Sequence, residues 1–160
     1  MRVEDIKNVL IVGGGTMGQQ IGFQCALHDC QVVLYDIKKE LLEKAMERIK
    51  RIASRMIREG RITEEQASAA LNRIKSTVDM ADAAKDADIV SESVPEDPEL
   101  KGKVFGQLNA LCPERTIFTT NTSTLLPSMF AQATGRPEKF LAYHFHDIRM
   151  TNVVDGMPHP

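Results

Sequence analysis

Short apolar or β-branched runs recur along the chain at 8–12, 31–36, 74–78, 88–93, 116–121 and 140–145. Most lack polar alternation, which is the pattern of strands buried on both faces. Between them the apolar spacing turns helical, notably over 17–28 and 100–111. Alternation of strands with helices predicts βαβ units on a largely parallel sheet, an α/β fold. No internal repeat, low-complexity segment or linker interrupts the series.

One region departs from that rhythm. Over 40–58, Leu41, Leu42, Ala45, Met46, Ile49, Ile52, Ala53, Met56 and Ile57 form one stripe of a long amphipathic helix. Gly60 is placed to stop it, and Thr63-Glu64-Glu65-Gln66 reads as a capping box opening a second helix to about Arg73. A helical hairpin at about 40–73 is thus predicted between the second and third strands, long for an ordinary crossover. Its polar face carries Lys44, Arg48, Arg51, Arg55 and Arg58. Such a stripe suits a phosphate-bearing ligand, since Arg offers a rigid fork of donors. It equally suits a solvated face softened by Glu43 and Glu47, the commoner fate of charged helix faces.

Composition narrows the class without naming a function. The 160 residues suffice for one domain with a real core. A net charge of −2 gives no electrostatic reason to expect nucleic acid. No apolar run approaches a membrane span, and Glu4, Asp5 and Lys7 break any secretory signal pattern. Cys25, Cys30 and Cys112 have no metal-ligand spacing and read as buried or incidental thiols of a reducing compartment, the cytoplasm by default.

The most local chemical signal is Gly13-Gly14-Gly15-Thr16-Met17-Gly18, between a strand and a helix. In this G-x-G-x-x-G pattern the first glycine permits a tight turn, the second admits a pyrophosphate close to the backbone, and the third lets helix and strand pack. Thr16 and Met17 then sit at a helix N-terminus, whose unpaired amides and dipole favour phosphate. Asp36 ends the second strand 23 positions after Gly13, where an acid accepts ribose hydroxyls and disfavours the extra phosphate of NADP. Lys38 and Lys39 lie close enough to blur that preference for NAD. The alternative is a plain strand–helix turn in which Asp36 caps the next segment.

Three downstream segments fall at the carboxyl ends of predicted strands, the edge at which open α/β sheets bind ligands. They are Glu92-Ser93-Val94-Pro95-Glu96 with Leu100-Lys101, then Asn121-Thr122-Ser123-Thr124-Leu125, then Tyr143-His144-Phe145. Taken singly, the histidine suits a structural role, and Ser123 or Thr124 suits a helix cap. Together, an amide, a hydroxyl and an imidazole would meet at the reacting end of a dinucleotide.

In these motifs the chain resembles the N-terminal, NAD-binding domain of L-3-hydroxyacyl-CoA dehydrogenases. The likeness runs from the glycine turn through ESVPE…LK and NTSTL to YHF, and a histidine 21 residues after the NTSTL serine is its most specific feature. The resemblance implies a Rossmann-type, doubly wound sheet with an inserted helical hairpin. It implies reversible oxidation of an L-3-hydroxyacyl-CoA to the 3-ketoacyl-CoA with NAD, in fatty acid or butanoyl-CoA metabolism. It makes His144 the base, Ser123 the partner of the reacting oxygen, and Glu96, Lys101, Ser123 and Asn121 contacts of the cofactor or substrate. The hairpin falls where family members touch the CoA moiety. Their serine and lysine are not recognisable here, which draws attention to Arg51, Arg55 and Arg58.

The sequence also departs from the family. Asp147 and Ile148 stand where an amide and a proline usually follow the histidine, which puts Asp147 at the nicotinamide end. The acid expected to orient the imidazole falls on Asp155, and His146 competes for histidine duty from a position that favours a structural role. Family members continue into a helical C-terminal domain that closes over substrate and usually forms a dimer interface. Residues 1–160 are therefore expected to be the NAD-binding domain alone, with a homodimer in the full-length form and an exposed apolar edge on this chain. Two other readings stay open: a non-catalytic dinucleotide-binding module, and a 3-hydroxyacid dehydrogenase acting on a substrate without CoA.

Overall fold

The computed structural model describes residues 2–147, 151 and 153–158. Seven strands form one sheet: β1 (Asn8–Val12), β2 (Gln31–Tyr35), β3 (Ile74–Thr77), β4 (Ile89–Glu92), β5 (Ile117–Thr120), β6 (Phe140–Phe145) and β7 (Val154–Pro158). Their spatial order is β3-β2-β1-β4-β5-β6-β7, all parallel except the antiparallel β6–β7 pair. The first six follow the doubly wound dinucleotide-binding order, with the strand order reversing between β1 and β4.

The helices are α1 (Thr16–Leu27), α2 (Lys39–Arg58), α3 (Glu64–Asn72), α4 (Met80–Ala84) and α5 (Pro98–Leu111). Because side chains alternate along a strand, β1 feeds two cores at once. Val9 and Ile11 join the layer of α1, α2 and α3, whereas Leu10 and Val12 join that of α4 and α5. This two-sided burial explains the unbroken apolar run in β1. In the second layer Phe105 packs against Phe118, Phe130 and Phe140 at centroid distances of 5.5, 6.1 and 5.2 Å.

The hairpin forms as its sequence predicts. Gly60 adopts φ +68°, and the amides of Gly60 and Arg61 bond the carbonyls of Ile57 and Met56, a left-handed stop that closes α2. Thr63 Oγ1 accepts from the Gln66 amide and Gln66 Oε1 from the Thr63 amide, so the capping box is present. Leu42, Ala45, Ile49, Ala53 and Met56 are buried from the predicted stripe. Leu41 is instead 41 % exposed, at the rim of the stripe beside the glycine turn.

Two elements were not anticipated. Five residues make α4 too short for a periodic signal, and Asp79 fixes it by accepting from the amides of Ala81 and Asp82. Strand β7, Val-Asp-Gly-Met-Pro, has poor strand composition and forms by pairing with β6. After β5, Ser123 and Thr124 cap no helix; Thr122 shapes that loop, its hydroxyl accepting from the Leu125 amide at 3.0 Å.

Candidate functional site at the carboxyl edge of the sheet

The glycine turn closes on itself as the spacing requires. Gly13 has φ +106°, and a Cβ there would lie 2.7 Å from the Ser93 carbonyl oxygen. A Cβ on Gly18 would collide with the Gly13 carbonyl oxygen, so helix α1 sits directly on the end of β1. Gly15, at the α1 N-cap, is different: a Cβ there would meet no atom within 4 Å. Gly15 and Thr16 are exposed and Met17 half-buried, facing the space a pyrophosphate would enter.

Asp36 stands beside this turn. One carboxylate oxygen accepts from the Gly14 amide at 2.8 Å and the other from the Ile37 amide at 2.7 Å. That ties the end of β2 to the turn and fixes the carboxylate at the rim of a cleft of about 990 Å³. Gly13, Gly14, Gly15, Asp36, Val94 and Glu96 line this cleft, with Lys44 and Arg48 of α2 on its far side. Two of the five cations on the hairpin face thus reach the cleft, whereas Arg55 pairs with Glu59 at 2.6 Å. Arg51 and Arg58 are exposed.

The open space over Gly15 gives a clean test of a phosphate cradle. Gly15→Ala is expected to cost about 1 kcal/mol or less in stability, as a cap change does. It should nevertheless weaken NADH binding by about tenfold or more, equivalent to about 1.4 kcal/mol. Calorimetric titration beside a thermal melt measures both. Unchanged affinity would remove Gly15 from the cofactor site.

Behind the cleft wall lies a buried ionic group. Lys101 is 1 % exposed, and its ammonium donates to Glu92 Oε1 at 2.7 Å and the Val94 carbonyl at 3.2 Å, with Glu96 Oε2 at 3.1 Å. Glu92 is fully buried and also accepts from the Thr120 hydroxyl and the Val94 amide. Burial pushes its carboxyl above the usual range, against the opposing pull of Lys101. Glu96 Oε1 accepts from the Thr122 hydroxyl at 2.6 Å and the Ser123 amide at 3.1 Å. Burial raises Glu96 as well, but these bonds and Lys101 carry it below the usual value.

Lys101, expected to contact cofactor or substrate, is enclosed here, and its contacts run to Glu92, Val94 and Glu96. Its effect on the edge is indirect. Lys101 anchors Glu96, and Glu96 anchors the backbone of Ser123, leaving that serine exposed at the mouth of the loop. Glu92 was the residue missed, because a glutamate at a strand end reads as a ligand contact rather than a buried counter-ion.

His144 lies on β6, neighbour of β5, with its side chain 23 % exposed. Asn121 fixes this strand end, its Oδ1 accepting from the Phe145 amide at 2.8 Å. Asp155 pairs directly across the ladder from His144. Its Oδ2 lies 2.7 Å from His146 Nε2 and 3.8 Å from His144 Nδ1, so the hydrogen bond goes to His146. That contact, before the weaker attraction of both imidazoles, lowers the carboxyl of Asp155. His146, which competes with His144 for histidine duty, is 42 % exposed and engages Asp155. The Asp147 carbonyl accepts from the Thr151 amide, and Ile148 lies outside the described residues.

Other groups carry no chemistry here. Burial pushes the thiol of Cys25 up to about 12 and that of Cys112 up to about 11, so both stay protonated at neutral pH. Among the described residues no helix is long and apolar enough to cross a membrane.

Comparison with known proteins agrees with this geometry. The chain is 33% identical over 157 residues to the fatty acid oxidation complex subunit alpha of Idiomarina loihiensis, covering 96% of this chain and 22% of that protein. The same subunit of Pseudomonas syringae pv. syringae is 32% identical over 157 residues. The chain thus spans about a fifth of the length of these curated relatives. The solved (S)-3-hydroxybutyryl-CoA dehydrogenase of Ralstonia eutropha superposes with a TM-score of 0.90 at 32% identity, over 95% of this chain and 54% of that one. A diketoreductase acting on dicarbonyl compounds gives a TM-score of 0.88 at 41% identity, over 94% and 54%. Residues 8–156 match the family described as 3-hydroxyacyl-CoA dehydrogenase, NAD binding domain. With strand order, glycine turn and Asp36 in agreement, the chain belongs to the NAD-binding domain of the 3-hydroxyacyl-CoA dehydrogenase family.

Proposed function

We propose that this domain serves an NAD-dependent oxidoreductase that interconverts an L-3-hydroxyacyl-CoA and its 3-ketoacyl-CoA. The observation that carries the reading is the placement of His144 and Ser123 at the carboxyl ends of the adjacent strands β5 and β6, on the edge that holds the glycine turn. The residues of the turn fit a dinucleotide: Gly15 leaves space for phosphates and Asp36 stands ready for ribose hydroxyls. NAD, when bound there, would supply the acceptor for the hydride that leaves the alcohol carbon.

The protein's own residues then manage a proton and a charge. In oxidation His144 takes the hydroxyl proton as the carbon–oxygen double bond forms; in reduction it returns that proton to the oxygen. Ser123 donates to the same oxygen and holds its developing charge. Asp155, across the ladder, stabilises the imidazolium. Glu96 and the enclosed Lys101 keep the Ser123 loop in register. Cytoplasmic location and a homodimer in a longer form complete the reading, together with Lys44 and Arg48 as the hairpin cations nearest a phosphate-bearing ligand.

A second reading is favoured by the 41% identity to a diketoreductase. It keeps the proton and hydride chemistry and removes CoA from the substrate. Oxidation of NADH with acetoacetyl-CoA and with ethyl acetoacetate separates the two. Turnover of the thioester at much the higher kcat/KM supports the first reading, and preference for the free ester supports the second. NADH binding without turnover of either, in forms with and without downstream sequence, would leave a binding module and overturn both.

A further inference from the structure

Two serine hydroxyls at β4 are out of solvent with no hydrogen-bond partner among the described residues, Ser91 Oγ and Ser93 Oγ. An enclosed hydroxyl without a partner is unfavourable, so each calls for a reason. Their positions differ. Ser91 is buried within the strand, beside Ile11 of β1. Ser93 is half-buried just past the strand end and lines the large cleft together with Gly13, Gly14 and Gly15.

The ladder fixes which way Ser93 faces. Val12 pairs with Glu92, and the Ser93 amide bonds the Val12 carbonyl, so strand geometry continues to Ser93 and sets it next to Gly13. Residues two apart on a strand share a face, which puts Ser93 with Ser91 and Ile89 on the side of the α1 layer. Glu92 lies on the other face, with Lys101. Helix α1 begins at Thr16 on the Ser93 side, and its N-terminus is where a pyrophosphate settles. The adenosine ribose falls to Asp36, one strand further out.

We infer that Ser93 is a cofactor-binding residue whose hydroxyl donates to the pyrophosphate of NAD. The inference rests on the dinucleotide reading of the turn and adds a side-chain donor to a cradle of glycine backbone. Turning χ1 to another staggered well carries the hydroxyl from its enclosed position towards the cleft. An anionic oxygen there is a stronger partner than a neutral one. Ser91 has the same hydroxyl on the same face and does not line the cleft, so it is the internal control.

The test is titration of the chain with NADH, followed by its fluorescence, and displacement of NADH by ADP. ADP keeps the adenosine and two phosphates and lacks the second ribose and the nicotinamide. Ser93→Ala is expected to weaken NADH and ADP by about tenfold or more each, the usual effect of losing a hydrogen bond to a charged group. Its melting temperature without ligand should stay level or rise, because an unpaired hydroxyl is removed. Ser91→Ala should leave both affinities within about twofold. Ser93→Ala binding both ligands within about twofold of the parent would overturn the proposal. So would an equal loss in Ser91→Ala, or a loss confined to NADH, which would put the contact in the nicotinamide half. A parent chain that binds no NADH would overturn the dinucleotide reading itself, and this contact with it.

Discussion

Replacing Lys101 with methionine is expected to destabilise the folded protein by about 3–5 kcal/mol at neutral pH, because breaking one side of a buried ion pair strands the other charge. The stranded group is Glu92, wholly enclosed and held by Lys101 at 2.7 Å. Glu96 reaches solvent and would stay ionised. The pH dependence follows in sign. Burial already raises the Glu92 carboxyl above its usual value, and removing the cation raises it further. A carboxyl raised on folding costs nothing below its unfolded pKa, and the cost grows as pH rises from there until it is complete above its folded pKa. The deficit of Lys101→Met relative to the parent should therefore shrink on acidification towards the ordinary carboxylate range and grow above it. Urea denaturation of both proteins at several pH values measures this, and a constant or vanishing deficit would show that Glu92 does not depend on Lys101. The same variant should loosen the Ser123 loop, since Lys101 also anchors Glu96.

The second large effect concerns chemistry rather than folding. In a form of the enzyme that turns over acetoacetyl-CoA, His144→Ala should lower kcat by about 10²–10⁴-fold, the usual contribution of a general base. NADH affinity should stay within about twofold, because His144 is not among the residues lining the cleft of the glycine turn and Asp36. Stopped-flow turnover with calorimetric binding separates the two quantities. A variant with kcat within threefold of the parent would remove His144 from the reaction. His146→Ala serves as the informative companion, since it frees Asp155 to approach His144 from its present 3.8 Å.

What the sequence made legible follows from how locally each feature is determined. The glycine turn needs particular backbone angles at Gly13 and close contact at Gly18, so residue type alone announces it. The hairpin was equally readable, because Thr63, Gln66 and Gly60 act on their own neighbours. The family resemblance then brought His144 and Ser123 to one edge. The ionic cluster was not readable. Lysine and glutamate are rarely buried, and nothing local tells that Lys101 turns inward to meet Glu92. The partnership of His146 with Asp155 was hidden for another reason: it exists only once β7 pairs with β6, and β7 contains a glycine and a proline.

The two edges of the sheet have a bearing on how the protein behaves in concentrated solution. An open edge offers unpaired amides and carbonyls to any other chain, which is the usual starting point for aggregation. At one end β3 is only four residues long and exposes Lys75 and Ser76. At the other, β7 carries Asp155, Gly156 and Pro158, so a charge, a flexible residue and a missing donor fall along a single short strand. Neither edge is a good template for another strand. A solution of this domain should therefore resist stacking through its sheet, and substitutions at Lys75 or Pro158 that favour regular strand structure would be the ones to cost it solubility.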